Sequence, residues 1–155
     1  MARYAERTDV SSDKSRAEIE RTLRRYGADQ FMYGWDQNKA MVAFTMTGRQ
    51  IRFVLPMPDR GSSEFTHTPA RKTRRTEDQI EREYEQAVRQ RWRALALYVK
   101  AKLEAVETGI VTFDDAFMAY TVLPNGQTMG EWAQPQIEQA YEGGGMPKLL
   151  AMGGT

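Results

Sequence analysis

A chain of 155 residues, 41% hydrophobic and 28% charged, has the length and apolar content for one domain around a single core. Its 22 Lys and Arg against 21 Asp and Glu leave a net charge of +1, so any attraction to phosphate must come from local arrangement rather than total charge. The absence of cysteine excludes disulfides, thiolate metal sites and a cysteine nucleophile, and no apolar run approaches the roughly 18 residues that span a bilayer.

Residues 1–11 carry no periodic pattern and read as a flexible N-terminal arm without an apolar signal core. The single domain is expected over 12–142, with a Gly-rich tail over 143–155. Its first element is a helix in which Ile19, Leu23 and Tyr26 share one face and Gly27 supplies the stop. Ser15 and Glu18 have capping-box spacing, and a cap one turn earlier at Ser12 or Asp13 is equally compatible.

The segment DQFMYGWDQNKAMVAFTMTGRQIRFVLPMP alternates with a period of two and predicts a three-stranded meander. If DQNK closes the first hairpin, Trp35, Tyr33 and Phe31 lie opposite Ala40, Val42 and Phe44. If Gly48-Arg49 is the second turn, Met46, Phe44 and Val42 lie opposite Ile51, Phe53 and Leu55. Both registers put the same large side chains, Phe31, Tyr33 and Trp35 included, on the core face. The other face, with Met32, Gly34, Met41, Ala43, Thr45, Arg52 and Val54, is semi-apolar. Cover by another segment, such as the C-terminal part, is favoured over a second subunit or a ligand.

After Pro56 and Pro58 comes DRGSSEFTHTPARKTRR, too long and polar for a tight turn. Thr76 and Gln79 then have capping-box spacing, and Tyr84, Val88, Trp92, Leu95, Val99, Leu103 and Val106 form the stripe of a long helix ending near Gly109. Acidic residues lead and basic ones trail along it, as the helix dipole prefers. Thr112 with Asp115 and Thr128 with Glu131 repeat the cap spacing, predicting two short helices around a Pro-Asn-Gly turn at 124–126. The fold class is therefore α+β: helix, three-stranded antiparallel meander, long helix, two short helices.

No motif names a reaction. His67 stands in a polar loop with no acid or nucleophile fixed near it by spacing. Asp114 and Asp115 suit a first helical turn better than a magnesium site, and Glu77, Asp78, Glu81 and Glu85 lack the further ligands of a nuclease. The glycines at 143–145 have neither the preceding strand nor the Lys-hydroxyl pair of a phosphate loop. No catalytic residue, metal or cofactor is expected.

What the helix and strand patterns do not absorb is the cluster ARKTRR. Arg71, Lys72, Arg74 and Arg75, with Arg60, Arg52 and Arg49, are the candidate phosphate contacts of a nucleic-acid-binding protein, DNA ahead of RNA. Phe31, Tyr33 and Trp35, expected in the core, would not be free to stack on single-stranded bases. The competing expectation is a protein-interaction or assembly module, a homo-oligomer or a host-factor binder, using the semi-apolar sheet face or the tail MPKLLAM.

The order helix, meander, long helix resembles that of double-stranded-RNA-binding domains, where a basic cluster at the second helix grips phosphates. At the same coarse level it resembles the core of single-strand annealing proteins. The phrases EIERTLRRYGA, IRFVLPMP, FMAYTVLPNGQTMGEW and PQIEQAYEGGGMPKLL, spread over most of residues 12–150, resemble those of uncharacterised small proteins of tailed phages and prophages. That resemblance implies the cytoplasm of a bacterial host and an accessory role in nucleic-acid metabolism or in handling a host factor.

Overall fold

Ser11, not Ser15 or Ser12, caps the first helix: its hydroxyl accepts from the Lys14 amide at 3.2 Å, and α1 runs Ser12–Arg25. Ser15 is instead fully buried one turn inside it. The computed structural model describes residues 8–146, so the first seven residues and most of the C-terminal tail, with Leu149 and Leu150, lie outside the described residues. Of the arm, Thr8 meets the long helix, its carbonyl accepting from Gln86 at 2.9 Å.

Strands β1 (Gln30–Trp35), β2 (Lys39–Met46) and β3 (Arg49–Pro56) form an antiparallel sheet in the order β1-β2-β3. The first hairpin has the expected register, Phe31 opposite Phe44 and Trp35 opposite Ala40. The second is offset by two: Phe44 opposes Ile51 and Val42 opposes Phe53. Its turn is Thr47-Gly48 rather than Gly48-Arg49, with φ of 48° and 73°. A type I′ turn needs both central residues in the left-handed region and favours glycine in the second place. A two-residue offset preserves the side-chain faces, which is why the core face keeps its composition.

After β3 come a single turn of helix, α2 (Ser63–Thr66), then α3 (Glu77–Glu107), α4 (Phe113–Phe117) running into a 3-10 turn at Met118–Tyr120, and α5 (Met129–Gly143). Capping boxes at Thr76/Gln79 and Thr128/Glu131 start α3 and α5 as their spacing predicts. Ile19 and Leu23 of α1, Val42, Phe44, Met46, Ile51 and Phe53 of the sheet, Trp92, Leu95, Ala96, Val99 and Leu103 of α3, and Phe117 of α4 form one buried cluster. Each large side chain so buried contributes about 1.5–3 kcal/mol against the entropy of folding.

Two expectations about the sheet change. Tyr33 and Trp35 do not sit in the core but are 45% and 76% exposed. They point to the helix-bearing face, where Trp92 of α3 meets Tyr33 edge-on at 6.4 Å and still leaves it half-exposed, with Trp35 more exposed again. On the other face, cover by the C-terminal part is partial. The turn after Leu123 and the start of α5 reach Arg52, and Ala43 is buried, but Met32 and Val54 stay exposed.

Candidate nucleic-acid interface

The cationic cluster is not a loose connection. Phe65, the one large apolar residue in a polar stretch, is 2% exposed and packs edge-on against Tyr84 of α3 at 5.8 Å. It anchors α2, whose N-cap Ser62 accepts from the Glu64 amide at 3.3 Å. Beyond α2 the chain folds back on itself: His67 bridges Arg74, the Arg75 amide donates to the Thr66 carbonyl at 2.7 Å, and the Thr68 amide donates to the Thr73 carbonyl at 2.8 Å. The Thr68 hydroxyl accepts from the Thr73 amide at 3.1 Å and its carbonyl from the Lys72 amide at 3.0 Å. The result is a closed six-residue loop, Thr68 to Thr73, set at the start of α3.

Lys72 closes that loop in the left-handed region, φ 52°, a conformation costing a non-glycine residue about 1–2 kcal/mol. The bonds on both sides of it hold it there.

The seven predicted cations separate into two groups. Arg75 turns inward, its guanidinium donating to the Glu64 and Phe65 carbonyls at 2.8 and 3.1 Å, and so clamps α2 to the base of the loop. Arg60 pairs with Glu81 and lies over the Tyr84 ring, 5.9 Å from its centre. Arg52 donates to the Gly126 carbonyl at 2.8 Å and faces Glu131 at 3.5 Å. Arg49 faces Asp114 at 3.3 Å. These four serve the fold. Arg71, Lys72 and Arg74 are exposed and, among the described residues, engage no carboxylate and no ring.

Beside the loop lies an open cleft of about 610 Å³ lined by Ser63, Glu64, His67, Thr68, Pro69 and Lys72. His67 is half-buried in it, its Nδ1 2.8 Å from the Thr66 hydroxyl. The acids that flank the loop in sequence, Glu64, Glu77 and Asp78, are exposed, and the last two occupy the first turn of α3, where the helix dipole stabilises them. Among the described residues no group of three or more His, Asp or Glu could hold a metal ion, and no helix is long and apolar enough to cross a membrane. An exposed cationic loop can neutralise phosphates; the cleft beside it offers hydroxyls and an imidazole, together with the Glu64 carboxylate.

Sequence reasoning missed the residues that shape the loop. Thr68 and Thr73 flank PARK symmetrically, and a lone phenylalanine in a polar stretch is a signal of an anchor; both were legible as spacing but not as contact. No protein-family model matches the chain, and neither the curated proteins nor the solved structures compared with it give a match, so the site stands on its own residues.

Proposed function

We propose that this chain is a small accessory protein that binds nucleic acid through the backbone phosphates, using Arg71, Lys72 and Arg74, with no catalytic step. The observation that carries the reading is the division among the seven candidate cations: four are engaged by carboxylates or carbonyls elsewhere in the fold, and the three left over stand together on the hydrogen-bonded loop and at its base. Such an arrangement gives affinity without base selectivity, because phosphate contacts position a protein but carry no sequence information. The bacterial host cytoplasm implied by the phage resemblance supplies DNA and RNA alike, with DNA the first ligand to test.

The test is fluorescence anisotropy with labelled duplex and single-stranded DNA and RNA at several salt concentrations. The parent is expected to bind at low salt. Changing Arg71, Lys72 and Arg74 together to Ala should weaken binding to duplex DNA and lower the slope of log K against log salt by about 2.7, from 0.9 per phosphate contact. Equal binding by parent and triple variant would rule the reading out.

A second reading, a protein-interaction module, is favoured by one feature of α5. The end of α5 carries an open apolar cleft of about 560 Å³ lined by Ile137, Ala140, Tyr141, Gly144, Gly145 and Met146, with Tyr141 and Met146 almost fully exposed. Substitution of Tyr141 by Ser would abolish such an interaction and leave nucleic-acid binding untouched.

A further inference from the structure

The outer edge of β1 is unused by the cationic loop. On β3, the opposite edge of the sheet is covered at its start by a bridge from Ile51 to Thr121 and by the Val122 amide on the Gln50 carbonyl at 2.8 Å. Edge strands are normally blunted by charge, proline, a bulge or a covering segment, because a bare row of amides and carbonyls templates another strand. The segment QFMYGW of β1 has no charged residue and no proline. Met32, Tyr33 and Trp35 are 61%, 45% and 76% exposed, and no strand among the described residues pairs on its outer side.

The first hairpin determines which backbone groups point outward. The Asp36 amide donates to the Lys39 carbonyl at 2.9 Å, so these two form a hydrogen-bonded pair. Along the register such pairs alternate, and Gly34 and Met32 likewise turn their amides and carbonyls toward β2. Phe31, Tyr33 and Trp35 turn theirs to the outside.

We propose that β1 pairs antiparallel with β1 of a second copy of this chain, about a twofold axis at Tyr33, joining two sheets into one of six strands. A twofold normal to the sheet keeps both helix layers on the same face. With Tyr33 on the axis it opposes its own copy, and Phe31 opposes Trp35 of the second copy. All three are residues with outward backbone groups, so every one of those groups finds a partner. Six aromatic rings then line up on the helix-bearing face, covering Tyr33 and Trp35, and Met32 lies beside Gly34 of the second copy on the other. The charges of the strand and its flanks agree with the same register, Asp29 coming opposite Gln37 and Asp36 opposite Gln30, while Arg16, which lies over the Tyr33 ring, is paired with Asp13 of its own chain. An axis at Met32 instead would set Trp35 against Asp29 and take it out of the aromatic row.

Pairing at this edge is independent of what the cationic loop binds. Sedimentation of the full chain over a range of concentrations is expected to approach twice the 17.8 kDa chain mass. Tyr33→Lys, which sets two like charges on the axis, is expected to give a monomer with an unchanged circular dichroism spectrum. The chain has no cysteine, so single substitutions report the register directly. Opposed Cα atoms of a hydrogen-bonded antiparallel pair lie about 5.5 Å apart, within the range a disulfide spans. Under mild oxidation Tyr33→Cys should therefore crosslink at least about tenfold faster than Glu138→Cys on the exposed side of α5, because the pair is held at high effective concentration. A parent that stays monomeric at its solubility limit overturns the proposal. So does a dimer indifferent to Tyr33→Lys, or equal crosslinking of the two cysteine variants.

Discussion

The hydroxyls of Tyr98 and Tyr120 meet at 2.7 Å beside the core, where the Tyr120 ring also lies tilted against Phe53 with centroids 4.2 Å apart. The Lys102 ammonium lies 4.6 and 5.4 Å from the two tyrosine ring centroids while donating to the Ala116 carbonyl, so α3, the 3-10 turn after α4 and the sheet are tied at one point. Burial, and next the bond to Tyr98, push the Tyr120 phenol up to about 12. The unfolded value is about 10. A group whose pKa rises on folding holds its proton more tightly in the native state, so its contribution is complete below the unfolded value and is lost as pH climbs through the folded one. Urea unfolding at about pH 9 and about pH 11 is expected to show a drop in stability that Tyr120→Phe, which cannot ionise, reduces. An equal drop in the variant would assign the pH dependence elsewhere.

Thr47 carries a β-branched side chain in the left-handed region at φ 48°, at the first central position of the β2-β3 turn. Asparagine tolerates that conformation, and Asn-Gly is the preferred pair for this turn. Thr47→Asn is expected to stabilise the protein by about 0.5–1 kcal/mol, read as a raised midpoint in thermal unfolding. A lowered midpoint would argue against a strained turn.

Phe65→Ala removes the anchor of the connection rather than a cation. The cost for a well-packed phenylalanine is about 3 kcal/mol or more. It should fall first on the local unit: amide exchange at Thr68 and Arg75, whose N–H groups bond Thr73 and Thr66, accelerates while Val42 and Ile51 stay protected. Nucleic-acid affinity should fall with every loop cation still present. Retained loop protection would show that Phe65 is not the anchor.

Arg52 and the loop cations should behave oppositely. Arg52→Ala gives up a charged hydrogen bond to Gly126, worth about 1.5–3 kcal/mol, and should lower stability with affinity unchanged in the folded protein. Arg74→Ala, on an exposed residue, should change stability by no more than about 0.5 kcal/mol and weaken binding. Lost affinity in folded Arg52→Ala would return Arg52 to the interface.

Periodicity and capping chemistry made the elements legible. Thr76/Gln79 and Thr128/Glu131 announce their helices because the interaction spans one turn, and the DQNK hairpin sets its register because strands alternate strictly. Contacts between distant segments leave no such trace. Arg49 and Asp114 are 65 residues apart, Arg52 and Glu131 79, so four of seven cations looked free that are not. The one hint was Arg52 itself, a charge on a sheet face otherwise apolar and small. Tyr33 and Trp35 illustrate a second limit: alternation says which face a side chain takes, but not how far the helices on that face cover it.

The backbone bonds that close the loop from Thr68 to Thr73 also bear on how fast it could act. A segment that must order itself around its target loses conformational freedom at the moment of capture, and its association slows accordingly. Here that loss has already been taken during folding, with Lys72 set in its unusual conformation before anything arrives. A polyanion approaching this corner would meet a finished shape, so its capture would be governed by diffusion and by the ionic strength of the surroundings.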